Sequence, residues 1–315
     1  MITAYSQNNG KLNPCVIDKQ EDLIKNAVWI DLVNPSEEEY QWIKEVYDQD
    51  LPALDTLVEI EASSRFFQDV SGLHLRSYFI HETLESSHNV NVAFILNQDY
   101  LFTLRDEALI SFKLYQQKVE KDFSSENATF DIMLGIFEVK VDRLADLLEQ
   151  LHFEVEALNT NVLVKEQKLG DVLTQLMTIQ NRNDNSLLSM MDKQRVLSFL
   201  LRSKKCPKET EELLREILQD LRSLKDHSTF LFEKVQFLMD AIMGRINIEQ
   251  NKIIKIFSIA AVVFLPPTLI ASIYGMNFHN MPELSWRYGY PLAIILMIAA
   301  GIAPYLYFKA KGWLK

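Results

Sequence analysis

The residues whose types and spacing suit chemistry lie near the C-terminal end of the chain. Small, polar and aliphatic side chains recur there every three or four residues, which places them on one face of a helix. We call this row the polar stripe, and its members are Asn247, Asn251, Ile254, Ser258, Ala261, Leu265, Thr268 and Ser272, with Asp240 extending it about three turns below Asn251. A helix face of this kind suits the wall of a water-filled path for ions.

A Gly-Met-Asn turn directly follows the polar stripe. Gly275 permits close backbone approach at a helix end, and Asn277 offers a neutral carbonyl oxygen. Repeated around a symmetry axis, these groups would form a ring of oxygens at a pore mouth. A small hard cation such as magnesium holds its water shell tightly, so such a ring can hydrogen-bond the coordinated waters without removing them. Thiolate or imidazole ligands would suit softer metals.

Two apolar segments flank this turn and predict a helical hairpin in a membrane. Residues 256–273 and 290–308 each contain about 18 to 19 residues without a charged side chain, which is long enough to cross the bilayer core. Cations lie before the first segment and after the second: Arg245, Lys252, Lys255, Lys309, Lys311 and Lys315. The positive-inside rule therefore predicts that both chain ends are cytoplasmic.

Two spans cannot enclose a water-filled path, so conduction requires several copies of the chain. The first span would line the axis, because the second has almost no polar side chains. The alternative is that the Ser and Thr hydroxyls bond the backbone locally or join helices. Pro266 and Pro267 predict a distortion of the first span, which either frees carbonyls for neighbours and pore water or is only a structural kink.

The full chain of 315 residues carries a net charge of -11. The chain from residue 253 onward has five cations and one anion, so the preceding region is strongly acidic. That balance argues against nucleic acid as a partner and suits a surface that meets cations. We expect no cleavable signal peptide at the N-terminus and free thiols at Cys15 and Cys206.

The N-terminal part predicts a mixed α/β domain over residues 1–130. Strands are predicted at 27–32 and 72–80, with a hairpin of 92–96 and 100–104, and Ser36 is the predicted N-cap of an intervening helix. Strand signals disappear after about residue 130. We therefore predict a helical stalk over 131–252, in which one helix runs from Glu209 into the membrane, and a transmembrane hairpin over 253–315 with an outer loop at 274–289.

The motifs around the turn resemble those of the CorA family of divalent-cation channels. Tyr-Gly-Met-Asn stands at 274–277 and Met-Pro-Glu-Leu at 281–284, while 247–251 and 264–268 look like the proteobacterial, magnesium-transporting branch. The resemblance implies a homopentamer in the bacterial inner membrane with a funnel-shaped cytoplasmic domain. It also implies potential-driven influx of magnesium, with cobalt and nickel as further cargo, gating by cytosolic magnesium and no organic cofactor.

The resemblance also assigns roles to individual residues. Gly275, Met276 and Asn277 would form the outer selectivity ring, with Asn277 nearest the metal. Thr268 and Asn251 would form polar rings, Leu265 and Ile254 hydrophobic constrictions, Asp240 an acidic ring at the inner neck, and Glu283 an ion-attracting group in the outer loop. Regulatory magnesium sites would draw on acidic residues of the soluble region, for which the candidates are Glu37, Glu38, Glu39, Asp48, Asp50, Asp55, Glu212, Glu216 and Asp220.

No motif in the sequence favours an enzyme, since it has neither a phosphate-binding Gly-rich loop with Lys and Ser/Thr nor a metalloprotease His-Glu pair. His74, His81 and His88 are interpreted as ordinary structural or surface histidines. Two alternatives to a magnesium channel stay open. One is a zinc transporter of the same superfamily, and the other is a non-conducting membrane sensor, which would not need Asn251 and Thr268 on one helix face.

Overall fold

A computed structural model describes residues 1–24, 26–52, 65–69, 71–82, 87–97, 99–164, 169–203, 206–276 and 281–312. The chain forms two compact units, Met1–Met239 and Asp240–Lys315, which we call the N-terminal unit and the hairpin unit. The described strands are β1 (Ile2–Asn8), β2 (Lys11–Ile17), β3 (Ala27–Val33), β4 (Phe66–Gln68), β5 (Leu73–Glu82), β6 (Ser87–Leu96) and β7 (Leu101–Arg105).

These described strands form one seven-stranded mixed sheet in the order β2-β1-β3-β7-β6-β5-β4. Strands β3 and β7 pair in parallel, whereas the other neighbouring pairs are antiparallel. The predicted strands near residues 27, 72, 92 and 100 correspond to β3, β5, β6 and β7. The predicted hairpin is β6 with β7, in which Leu96 pairs with Leu101.

The β1–β2 hairpin was missing from the sequence prediction, which placed its first strand at residue 27. Its two-residue turn is Asn9-Gly10, with φ of 53° and 72°. Left-handed conformation at both central residues is the property of a type I′ turn, for which Asn-Gly is a strong sequence signal. The dipeptide between two strand-like runs could therefore have identified this hairpin.

Helix α1 (Glu37–Tyr47) begins at the predicted N-cap. The Ser36 hydroxyl accepts a hydrogen bond from the Glu39 backbone N–H at 3.3 Å, and the Ser36 N–H donates to the Glu39 carboxylate at 2.8 Å. This reciprocal pair is a capping box. Asp48 ends the helix in the left-handed conformation, with φ of 52°.

The remaining described elements are helical, and the sequence predicted those α-helices that follow residue 130. They are α2 (Ile110–Val119), α3 (Ala128–Val164), α4 (Leu169–Arg202), α5 (Lys208–Tyr274) and α6 (Gly289–Ala310), with short 3-10 helices at Gln20–Asp22 and Pro282–Ser285. Helix α5 is continuous through its two prolines, which confirms the predicted single long helix.

The core of the N-terminal unit lies on both faces of the sheet. On one face, Ile43 of α1 packs with buried residues of β1, β3, β6 and β7. On the other, Phe79 and Phe94 pack against Phe112 of α2 and Phe137 of α3, with ring centroids 5.1 to 6.3 Å apart. The sheet is therefore covered by helices on both faces.

A buried polar network crosses β3 and β7 inside this core. The Asp31 carboxylate accepts hydrogen bonds from the Arg105 guanidinium at 2.9 Å and from the Thr103 hydroxyl at 2.7 Å. The Trp29 indole N–H donates to the Thr103 hydroxyl oxygen at 2.9 Å. The pair gives each buried charge an opposite charge, and the Thr103 hydroxyl adds a neutral donor to Asp31. Among the described residues the buried Arg105 Nε has no hydrogen-bond partner.

Candidate ion path

The hairpin unit exposes two apolar helical segments. Within α5 and α6, windows of 18 residues have mean hydropathies of 2.2 and 2.0, and 0% of the first window and 6% of the second is buried. A core helix of a soluble protein would be mostly buried, so these surfaces require lipid or another copy of the chain as their surroundings.

The structure places every member of the polar stripe on α5, and all of these side chains are exposed in the single chain. At ~100° per residue, the stripe occupies an arc of about 100° around the helix. Two of its apolar members, Ile254 and Leu265, are 61% and 65% exposed. The sequence-predicted stripe is therefore one continuous face within the hairpin unit.

The half-buried side chains of the same helix lie on the opposite face. They centre about 180° from the stripe at ~100° per residue, and they are Ile259, Ala260, Val263, Pro266, Pro267, Ile270 and Tyr274. Helix α6 approaches here, since a Cβ added to Gly301 would lie 3.3 Å from Pro267 Cγ and 3.6 Å from the Val263 carbonyl oxygen. Helix α6 thus packs against the side of α5 that faces away from the stripe.

The prolines of α5 lie on this inter-helix side and do not end the helix. Neither Pro266 nor Pro267 has an N–H, so they make no α-helical hydrogen bond to the carbonyls of Val262 and Val263. The Val263 carbonyl lies beside Gly301, where the missing side chain allows the two backbones to approach. The prolines therefore shape the contact between the two spans.

Thr268 shows that a stripe hydroxyl can bond the backbone locally and still be exposed on the stripe. Its Oγ1 donates to the Phe264 carbonyl at 2.7 Å, which is a local backbone bond. A hydroxyl also has two acceptor lone pairs, and the side chain is exposed on the stripe. Because the local bond uses the hydroxyl proton, the oxygen is oriented to accept, which suits the donor waters around a cation.

Helix α5 ends at the Gly-Met-Asn turn. The Gly275 N–H donates to the Ala271 carbonyl at 2.9 Å, and the Met276 N–H donates to the Ile273 carbonyl at 3.2 Å. Asn277 lies outside the described residues, so the third member of the predicted selectivity ring has no assigned geometry. Glu283 lies in the 3-10 helix Pro282–Ser285.

Several predicted regulatory acids have local structural contacts. Glu39, in addition to its capping role, pairs with the N-terminal amino group at 2.9 Å, and Asp50 pairs with Lys44 at 2.8 Å. Glu37 and Glu38 lie in the first turn of α1, where acidic side chains complement the helix dipole. Asp55 lies outside the described residues.

The other regulatory candidates, Glu212, Glu216 and Asp220, are exposed along α5. Burial raises the pKa of the Asp142 carboxyl on α3, and the neighbouring carboxylates of Glu138, Asp146 and Asp220 raise it further. Sequence reasoning named Asp220 but missed the three acids of α3. Their spacing of four residues on α3, at 138, 142 and 146, was the available signal.

The structure also brings together two histidines that the sequence analysis treated as ordinary. His81 and His88 pair across β5 and β6, and both hydrogen-bond to Glu107, which follows β7. His74 is different, because it is buried and its Nε2 lies 3.1 Å from Asp69 and 3.0 Å from the Ser71 hydroxyl. The first group is a three-residue cluster, and the second is a local hydrogen-bonded turn.

These features define a membrane protein with two C-terminal spans, the first of which has an exposed polar face. The chain matches the model of the family described as CorA-like Mg2+ transporter protein over residues 25–310, and it belongs to that family. It is 44% identical over 317 residues to the magnesium transport protein CorA of Escherichia coli strain K12, with 100% of both chains covered.

Solved structures show the same fold. The complete CorA magnesium transporter of Methanocaldococcus jannaschii matches with a TM-score of 0.76 at 20% identity, over 99% of this chain and 98% of that one. The full-length CmaX protein matches with a TM-score of 0.72 at 16% identity, over 98% and 97% of the two chains. Both full-length matches include the two C-terminal helices as well as the N-terminal unit.

Proposed function

We propose that this protein is a homo-oligomeric channel that conducts Mg2+ into the bacterial cell across the inner membrane. The observation that carries the proposal is the position of the polar stripe, which is exposed on the face of α5 opposite to α6. Membership of the CorA-like family and similarity to the E. coli magnesium transport protein support Mg2+ as the principal ion. Cobalt and nickel, which have similar size and hydration, are further cargo.

Oligomerisation follows from the geometry of a two-helix unit. Two helices cannot surround a water-filled path, and polar side chains facing lipid are costly. Copies arranged around an axis, with the stripe inward and α6 outward, remove both difficulties. We propose five copies, on the resemblance to the family, with both termini in the cytoplasm.

The stripe would pass a hydrated ion. Oxygen groups at Asn251 and Thr268 accept hydrogen bonds from the coordinated waters, which Mg2+ releases reluctantly. The side chains of Ile254 and Leu265 narrow and dry the path, so small helix movements there can open or close it. Asp240 supplies negative charge at the cytoplasmic end, while the Gly275–Asn277 turn forms the outer ring of oxygens.

Inward movement of the ion needs no chemical energy source. A dication that enters an interior-negative cell gains ~4.6 kcal/mol per 100 mV, twice the value for a single charge. The membrane potential therefore supplies the driving force.

Cytosolic Mg2+ would regulate the path through the acidic residues of the N-terminal unit. Glu212, Glu216 and Asp220 lie on α5, the helix that also carries the stripe. A cation bound among these carboxylates would favour one position of that helix over another and so bias the path toward its closed state.

The test is ion flux into proteoliposomes that contain the purified full-length protein. Under an interior-negative potential without a proton gradient, we expect Mg2+ uptake, with a large loss in Asn277→Ala. An exposed asparagine outside the path, substituted in Asn181→Ala, is the matched control and should retain flux. Absence of Mg2+ flux together with zinc uptake that follows a proton gradient would contradict the proposal and favour a zinc transporter.

A further inference from the structure

We propose that His81, His88 and Glu107 form a binding site for a first-row transition dication, such as Zn2+ or Co2+, separate from the ion path. The three residues come from three different segments of the N-terminal unit. His81 is the second-last residue of β5, His88 is the second residue of β6, and Glu107 lies between β7 and α2. The antiparallel register places the two histidines directly opposite each other.

The donor atoms already converge. Glu107 Oε1 and Oε2 lie 3.0 and 3.2 Å from His88 Nε2, and Oε2 is also hydrogen-bonded to His81 Nδ1. One ligand atom from each residue lies within 4.8 Å of the others. A tetrahedral ion with bonds of ~2.0–2.1 Å has ligand atoms roughly 3.4 Å apart. Small side-chain rotations would therefore close the site around an ion.

The side chains have the freedom to make these rotations. His81, Glu107 and His88 are 25%, 37% and 47% exposed, so the cluster is reachable from solvent. Three protein ligands would leave at least one coordination position for water. Binding would replace the proton that each imidazole now shares with the carboxylate.

The donor set selects against Mg2+. Two imidazole nitrogens and one carboxylate oxygen suit zinc and neighbouring transition ions, whereas Mg2+ prefers oxygen ligands and retained waters. The polar stripe offers oxygen groups and aliphatic side chains without imidazole. The protein thus places its nitrogen-rich cluster and its oxygen-lined face in different units.

The local charge is compatible with a dication. Glu107 contributes the one carboxylate of the cluster, and both of its oxygens face the two imidazoles. Arg143 and Lys140 line a small cavity beside His81. Arg143 is paired with Asp146 at 3.3 Å, and burial lowers the pKa of Lys140 to about 8.

A purely structural role is the competing explanation, in which Glu107 ties β5 and β6 to the segment after β7 by hydrogen bonds alone. The two explanations differ in their response to metal. A bound ion would link all three segments and stabilise the folded state by an amount that grows with the logarithm of its concentration relative to its Kd. A hydrogen-bond network would gain nothing from the ion.

The test is a Co2+ titration of the full-length protein in detergent, with millimolar Mg2+ present to occupy oxygen-ligand sites. Visible absorption of Co2+ reports its ligands directly. We expect one Co2+ per chain with nitrogen-containing coordination, at least 10-fold weaker binding in His88→Ala and in Glu107→Gln, and displacement by Zn2+. His227→Ala, which removes an exposed histidine from α5, is the control and should bind as the unsubstituted protein does.

Thermal unfolding gives a second readout. Co2+ should raise the unfolding midpoint of the unsubstituted protein and of His227→Ala, and should not raise that of His88→Ala. His88 is the most exposed of the three ligands, and circular dichroism would establish that its variant folds. Equal Co2+ spectra and affinities in the unsubstituted protein, His88→Ala and Glu107→Gln would overturn the proposal. The absence of high-affinity Co2+ binding to the unsubstituted protein would also overturn the proposal.

Discussion

The two units place polar side chains in different surroundings. In the N-terminal unit, Asp31 and Arg105 are each 3% exposed, and they pair with each other and with Thr103 inside the core. In the hairpin unit, the stripe residues Asn251 and Thr268 lie exposed on a helix whose composition suits a membrane. The first arrangement is complete within one chain, whereas the second requires water or further copies.

This difference separates polar groups that stabilise the fold from those that we propose to line the ion path. A buried ion pair leaves an uncompensated charge when one partner is removed, so its loss is felt in stability. An exposed stripe residue has few contacts to lose within its own chain. Changes there should affect ion flux far more than the folding of a single chain.

The largest expected effect comes from Asp31→Ala. Removing this carboxylate leaves the buried Arg105 without its countercharge, which should cost about 3–5 kcal/mol of unfolding free energy. Denaturant-induced unfolding of the full-length protein in detergent measures the loss. The exposed Asp50→Ala is the control and should change stability little. Equal stabilities of the two variants would show that the buried pair does not stabilise the N-terminal unit, and the contrast with the exposed stripe would lose its basis.

Lys140→Met tests a buried cation within the N-terminal unit. Burial lowers the pKa of Lys140 to about 8, and its Nζ donates to the Ile80 carbonyl at 3.1 Å. Below pH 8 the charged lysine opposes folding. Between pH 8 and its ordinary pKa near 10.5, the unfolded chain binds more protons than the folded chain, so stability rises with pH.

We therefore expect Lys140→Met to be more stable at pH 7 by about 2 kcal/mol, after allowing for the lost hydrogen bond. Its advantage over the unsubstituted protein should shrink as the pH rises from 8 toward 10.5. Denaturant unfolding at pH 7 and pH 10 measures this difference. A stability difference that is independent of pH would contradict a lowered pKa at this position.

The smallest expected effect is that of Gly301→Ala in the hairpin unit. The new Cβ would lie 3.3 Å from Pro267 Cγ, so the two spans must separate by a few tenths of an ångström, at a cost of about 1 kcal/mol. The unfolding midpoint in detergent measures this loss. Gly244→Ala is the matched control, because nothing lies within 4 Å of its added Cβ. A loss in the control equal to that in Gly301→Ala would remove the evidence for close packing.

Local patterns in the sequence were sufficient for much of the fold. Alternating and apolar runs predicted β3, β5, β6 and β7, and helical spacing predicted the long α5 and the stripe on one of its faces. The position of α6 on the face opposite to the stripe was not predicted. It depends on where one helix packs on another, which the small residue Gly301 permits but does not specify by itself.

Contacts between distant segments were the part that sequence reasoning missed. Asp31 and Arg105 are 74 residues apart, and their pairing depends on the parallel register of β3 and β7. His81 and Glu107 meet only because the sheet brings the end of β5 beside the segment after β7. Such clusters have no local periodicity, so their signal appears only once strand pairing is known.

The central claim is that the stripe of α5 faces water inside an oligomer while α6 faces lipid. Cysteines placed at Ala261 on the stripe and at Ala299 on α6 test it directly, since both positions are exposed alanines in the single chain. The background would have Cys15→Ser and Cys206→Ser, and the reagent would be a charged, membrane-impermeant thiosulfonate. We predict that Ala261→Cys is labelled and loses Mg2+ flux, whereas Ala299→Cys keeps its flux. Equal labelling at both positions, or unchanged flux after labelling of Ala261→Cys, would contradict the account.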